Sequence, residues 1–270
     1  MKTRILAAMV LLPVLLLVLL FAPVYVATIV VGFFCGIASY ELLYRTGLVK
    51  HSWLNIYSAV MAFCVAAWRY FGMPETAAFV GVFAYVLLLF GQMLASGLQV
   101  KFSEIAMCLF SGIVVPFFLT ALIRIRMLPN GKWLVFIPFL MAFLSDTGAY
   151  FVGIFFGKHK LCPVISPKKT VEGFVGGILT AVVGMMVFAM LIDHFQVSQV
   201  NYWMALVYGL LGSVTGVLGD LSMSAIKRQS GIKDYGNLIP GHGGILDRFD
   251  SVMLTAPLCE ILLLIIPVMV

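Results

Sequence analysis

The chain has 270 residues, 63% of them hydrophobic and only 10% charged, with a mean hydropathy of +1.11 and a formal charge of +6. A soluble domain carries roughly 25% charged residues, so this composition excludes a globule that faces water all round. The positive balance fits the basic loops of a membrane protein, and nothing in it supports nucleic-acid binding. No hydrophilic stretch is long enough to fold separately.

Apolar segments of about 20 residues, enough to cross a bilayer, recur from end to end. Nine spans are expected, at roughly 4–22, 24–43, 53–70, 76–95, 104–123, 133–156, 171–192, 203–226 and 252–270. Lys2 and Arg4 precede an apolar run as in a signal peptide. The run lacks a small-residue cleavage site, however, and a second span begins at Val24, so a retained first helix is expected. Turn signals such as Gly72-Met73-Pro74 and Pro129-Asn130-Gly131 separate the spans. The five cysteines are scattered, contain no CxxC, and read as packing residues.

Lysine and arginine set the expected orientation. With the N-terminus inside, the inner segments hold Lys2, Arg4, Arg45, Lys50, Lys101, Lys158, Lys160, Lys168, Lys169, Lys227, Arg228, Lys233 and Arg248. The outer segments hold Arg69, Arg124, Arg126 and Lys132. The expected fold is therefore an all-α polytopic membrane protein, N-in and C-out, with its polar site at the cytosolic ends of the C-terminal helices. Arg124, Arg126 and Lys132 dissent, which puts a neighbouring span boundary in question. A scaffold over 1–130 and a catalytic region over 131–270 are expected within one membrane domain.

The eighth span carries Gly209, Gly212, Gly216 and Gly219 on one face about 80° wide, where a neighbouring helix can approach closely. Asp220 returns to that face, and Ser224 and Lys227 continue the stripe. Asp220 falls roughly 26 Å along the helix, where an acid needs a partner. A structural Asp–Lys pair and a metal ligand both meet that need. Asp146 lies deeper, roughly 18 Å into its span. A hydrogen-bonding role beside Thr147 or Tyr150 and a direct catalytic role are both open for it. Glu41 and Glu260 read as interfacial.

Between Lys227 and Asp250 the chain runs K-R-Q-S-G-I-K-D-Y-G-N-L-I-P-G-H-G-G-I-L-D-R-F-D. Its cations can neutralise polyphosphate, and Gly241, Gly243 and Gly244 let backbone amides approach oxygen atoms. Asp247 and Asp250, three residues apart, are expected on one side of a following helix. A divalent cation, magnesium by preference, would reconcile these carboxylates with phosphate. His242 can serve phosphate or simply the turn. A plain basic loop meeting anionic lipid headgroups would account for the cations but not for the glycines or the acids.

The pattern S-x-I-K-R-x4-K-D-x-G-x2-I-P-G-H-G-G-I-x-D-R-x-D over Ser224–Asp250 resembles the signature of the phosphatidate cytidylyltransferase (CDP-diacylglycerol synthase) family. Ser145–Tyr150 and Ile165–Gly173 resemble the same family's C-terminal half, so the likeness covers about residues 140–255. It implies a bacterial inner-membrane enzyme of phospholipid biosynthesis with a cytosol-facing site. The implied reaction joins CTP and phosphatidic acid into CDP-diacylglycerol and pyrophosphate with a divalent cation such as Mg2+. On that reading Asp220, Asp247 and Lys227 are catalytic, and Asp220, Asp247, Asp250 and Asp146 are the metal carboxylates. Lys168, Lys169, Ser224, Arg228, Lys233, His242 and Arg248 are the expected substrate contacts. Unused glycine faces leave room for a homodimer, which the resemblance favours. A secondary transporter would show internal repeats and matching broken helices, and the sequence has neither.

Overall fold

The computed structural model describes residues 13–236 and 243–269, the Arg69 side chain excepted. Among them, six helices are long and apolar enough to cross a membrane: Val24–Thr46, Glu75–Ala95, Phe102–Arg126, Gly131–Phe156, Val171–His194 and Tyr202–Gln229. Ser52–Trp68 and Val252–Ile265 are shorter apolar helices. Each coincides with an expected span. The first expected span begins outside the described residues, of which 13–21 are helical.

The chain divides into two compact units, Met1–Arg124 with Gln229–Arg248, and Ile125–Arg228 with Phe249–Val270. In the first, the helices Val24–Thr46 and Ser52–Tyr70 lie against each other in antiparallel order, Gly36 at the backbone of Ala59 and Gly32 at Phe63 and Ala66. Leu43, Leu54, Tyr85, Leu89, Ile105 and Cys108 form a buried cluster. The Tyr85 hydroxyl sits 2.7 Å from the Ser58 hydroxyl and donates to the Cys108 carbonyl at 3.1 Å. A Cβ on Gly112 would stand 2.8 Å from that hydroxyl. The tyrosine thus occupies the place where Phe102–Arg126 widens into a π turn over Phe110–Val114.

In the second unit, Ile137–Phe156 and Val171–His194 pack along their length as an antiparallel pair. Glycines set the close spacing: a Cβ on Gly173 would stand 2.7 Å from the Ala149 carbonyl, and one on Gly177 2.7 Å from that of Ser145. The glycine stripe of Tyr202–Gln229 works as its spacing predicts. Gly209 meets the backbone of Val182, Gly212 meets Met141, Gly216 meets Ala142 and Thr255, and Gly219 meets the Asp250 carbonyl.

Two local departures follow from hydrogen bonding that periodicity does not reveal. Between the expected spans 133–156 and 171–192 the otherwise helical fold carries a short two-stranded antiparallel hairpin, Lys160–Cys162 against Ser166–Thr170. Glu172 fastens its base, accepting the Lys158 amide at 3.0 Å and the His159 amide at 3.2 Å. Thr170 then caps the next helix by accepting from the Gly173 amide at 3.1 Å. The second departure is the helix expected to carry Asp247 and Asp250 together. It is one turn, Leu246–Phe249, and Asp250 lies in the turn beyond it.

Candidate active site

A cavity of about 610 Å³ opens in the second unit between the helix pair, the hairpin and the helix Tyr202–Gln229. Asp146, Asp220, Lys160, Lys168 and Lys169 supply its charged lining. Tyr150, Ile154, Leu161 and Phe174 are among its apolar lining residues. Strand alternation divides the two adjacent lysines. Lys168 is exposed, while Lys169 turns inward and its ammonium rests on the Asp220 carboxylate.

Asp220 is held from a second side by Ser224, whose hydroxyl donates to Oδ1 at 3.1 Å, one helical turn on. Asp146 accepts from the Ser251 hydroxyl at 3.1 Å, a contact its sequence neighbours Thr147 and Tyr150 did not suggest. Asp250 faces the buried Lys227, whose ammonium lies 3.9 Å from Oδ2. Burial pushes the Asp250 carboxyl up to about 7, the negative charges of Asp220 and Asp146 add to the rise, and Lys227 opposes it. Asp220 also acts on Asp146. The second unit therefore gathers Asp146, Asp220 and Asp250, together with Lys169 and Lys227, from four stretches of chain. Arg228 points elsewhere and donates from Nε to the Ile165 carbonyl at 3.3 Å, backing the hairpin turn.

The signature loop belongs to the first unit. Asp247 is buried there, and its Oδ2 accepts the Tyr235 amide at 2.8 Å and the Gly244 amide at 2.9 Å. Gly243 has a φ of +84° with Asp247 against it, a conformation that favours glycine. Lys233 and Arg248 are exposed. His242 lies outside the described residues.

Three contributors escaped the reading of the residues one by one. Lys160 was visible only as a loop charge, and the hairpin brings it to the cavity. Ser251 adjoins Asp250 in sequence, but its partner is 105 residues away. Glu41 accepts the Leu246 amide at 3.1 Å, across 205 residues. Each depends on tertiary pairing.

Among the described residues no three His, Cys, Asp or Glu side chains form a ready-made metal cage. Magnesium needs no such cage, since one or two carboxylates and substrate phosphates hold it. Asp146 and Asp220 line one cavity beside Lys168 and Lys169, and Asp250 lies by Lys227. This donor set fits a divalent ion bound together with a polyphosphate.

The second unit thus holds a cavity with acidic, basic and apolar lining among helices long and apolar enough to cross a membrane. The chain belongs to the cytidylyltransferase family, whose profile matches residues 2–266. It is 41% identical over 184 residues, 68% of each chain, to the phosphatidate cytidylyltransferase of Staphylococcus epidermidis. It is 44% identical over 164 residues, 61% of each chain, to that of Staphylococcus saprophyticus, and 47% identical over 135 residues, 50% of each chain, to that of Staphylococcus aureus.

Proposed function

We propose that the cavity of the second unit carries out a metal-assisted transfer of a cytidylyl group to a lipid phosphate. The chain is a phosphatidate cytidylyltransferase of phospholipid synthesis and a multi-pass membrane protein with bacterial relatives. Its reaction converts CTP and phosphatidic acid to CDP-diacylglycerol and pyrophosphate. The observation that carries the mechanistic reading is the meeting of Asp146, Asp220, Lys168 and Lys169 in one cavity with an apolar wall.

A phosphate monoester has a second pKa of roughly 6, so the lipid phosphate is already an anionic nucleophile at neutral pH. Its oxygen forms a bond to the α-phosphorus of CTP while the bond from that phosphorus to the pyrophosphate oxygen breaks. No protein nucleophile or strong base is required. What the protein must supply is orientation and charge neutralisation. Lys168 and Lys169 can receive phosphate oxygens, Lys227 balances Asp250, and Ser224 and Ser251 orient Asp220 and Asp146. Asp220, with Asp146 and Asp250 beside it, would hold Mg2+, which when bound neutralises phosphate charge and stabilises the departing pyrophosphate. Asp247 is proposed as a further cation-binding carboxylate on the signature alone.

The wider reading is of nine spans with the N-terminus and the 158–170 and 228–251 stretches facing the cytosol of a bacterial inner membrane. A homodimer is the proposed assembly. The decisive experiment offers purified protein radiolabelled CTP with either phosphatidic acid or polyprenyl phosphate, with Mg2+ and with excess chelator. Label should enter the phosphatidic acid product only, and only with Mg2+. Equal incorporation after exhaustive chelation would remove the metal from the mechanism.

A further inference from the structure

Glu41 sits on the helix Val24–Thr46 and is only 6% exposed. A carboxylate so deep in a membrane protein is unfavourable without partners; here the Arg45 charge one helical turn on favours it, and a backbone amide of the signature loop donates to it. Leu246 donates its amide to Oε2 at 3.1 Å. Gly236 and Gly244 press so close that a Cβ on either would collide with Glu41. The two glycines also adjoin, since a Cβ on Gly236 would stand 2.8 Å from the Gly244 Cα. Asp247 binds the same two stretches from within the loop, through the Tyr235 and Gly244 amides. The outgoing stretch Tyr235–Gly236 and the returning stretch Gly244–Leu246 are thus gathered by one carboxylate of the loop and one of a distant helix.

We infer that Glu41 is a positioning residue of the enzyme, a carboxylate latch that holds the outgoing and returning ends of the signature loop together. This rests on the functional reading above only in supposing that the loop serves the cytidylyl transfer. The chemistry of the latch explains why an acid stands there. The buried Leu246 amide at the loop's return needs an acceptor, and the glycines leave room for nothing larger than hydrogen beside it. An apolar side chain of equal volume would leave the Leu246 amide buried without this acceptor.

The test uses the full chain in detergent micelles, with amide hydrogen exchange of the 243–250 peptide measured beside CTP kinetics. Glu41→Ala should raise exchange at residues 244–246 about tenfold or more, the scale of losing a hydrogen bond to a charged group. It should lower kcat/KM for CTP by a comparable factor. Glu41→Gln, which keeps a carbonyl acceptor, should recover part of both. Glu104→Gln alters another buried carboxylate of the same unit, bonded to His51, and should leave exchange of the 243–250 peptide unchanged. If the alanine chain does not fold, Glu41→Asp, which withdraws the carboxylate by one methylene, should show the same raised exchange. Wild-type exchange at 244–246 in the folded Glu41 variants would overturn the latch. So would raised exchange with unchanged kinetics, since the loop's setting would then not matter to the reaction. An inactive wild type would instead sink the functional reading, and the exchange arm would still judge the latch.

Discussion

The Lys169 ammonium lies on the Asp220 carboxylate, joining the hairpin to the helix Tyr202–Gln229 inside the cavity. The pair satisfies two charges that the apolar surroundings would otherwise penalise. It also places a cation where the proposed reaction brings Mg2+ and phosphate. Asp220→Asn keeps the shape of the side chain and removes the charge, so turnover should fall by at least about two orders of magnitude. Lys169→Met should also lower turnover, and the double variant should lose less than the product of the two single losses, because the residues act as a unit. Steady-state kinetics on the four proteins checks this. Independent, multiplying losses would separate the pair.

Gly219 offers a test of how packing sets the site. A Cβ there would stand 2.6 Å from the Asp250 carbonyl and 3.3 Å from that of Ser251, with backbone as the obstacle. Gly219→Ala should push the 250–251 turn away from the helix, disturbing both the Lys227–Asp250 and the Ser251–Asp146 contacts. Overpacking of this kind costs about 1–3 kcal/mol, and activity should fall further than stability. Gly81→Ala, in a helix with open space at that position, is the control and should be neutral or slightly stabilising. Equal behaviour of the two variants in thermal melts and turnover would contradict the packing account.

The helices, the glycine stripe and the chemical character of the site were legible because each rests on local periodicity or on types at fixed spacing. Gly209, Gly212, Gly216 and Gly219 fall on one face by helical geometry alone, and that face meets its neighbours as expected. Asp220 could be read as needing a cation, yet the sequence left lysine and metal open, and Lys169 is the partner observed. The hairpin was hidden because its cross-strand bonds join residues that show no apolar alternation. Glu41 read as interfacial because its partner, Leu246, is 205 residues away. Asp247 and Asp250 looked like one helix face, but the helix ends at Phe249. Asp247 instead binds the Tyr235 and Gly244 amides.

Orientation is tested at Lys233, an exposed residue of the signature loop. In a variant without its five native cysteines, Lys233→Cys should react with an impermeant maleimide only when the cytosolic face is open to the reagent. The same should hold for Lys158→Cys beside the hairpin. Labelling of either from the periplasmic side of sealed vesicles would reverse the assignment made from the basic residues.

Lys227 and Arg228 are neighbours in sequence but not in surroundings. Lys227 is buried with its ammonium 3.9 Å from Asp250 Oδ2, within the group of charges that includes Asp220 and Asp146. Arg228, rotated by about 100°, donates to the Ile165 carbonyl and braces the turn of the hairpin that carries Lys168 and Lys169. Lys227→Met keeps most of the stem and deletes the charge, leaving Asp250 facing Asp220 without its counterion. Turnover with CTP should fall by about tenfold or more, with a smaller change in KM for either substrate. Arg228→Met removes the exposed hydrogen bond to the Ile165 carbonyl, so it should loosen the hairpin and raise KM while kcat changes little. Limited proteolysis at the hairpin, faster in Arg228→Met than in Lys227→Met, supplies a readout independent of activity. Kinetics with CTP and phosphatidic acid varied separately in mixed micelles completes the comparison. Indistinguishable profiles for the two variants would mean that both cations serve one shared anionic pocket and that the division by helix face is wrong.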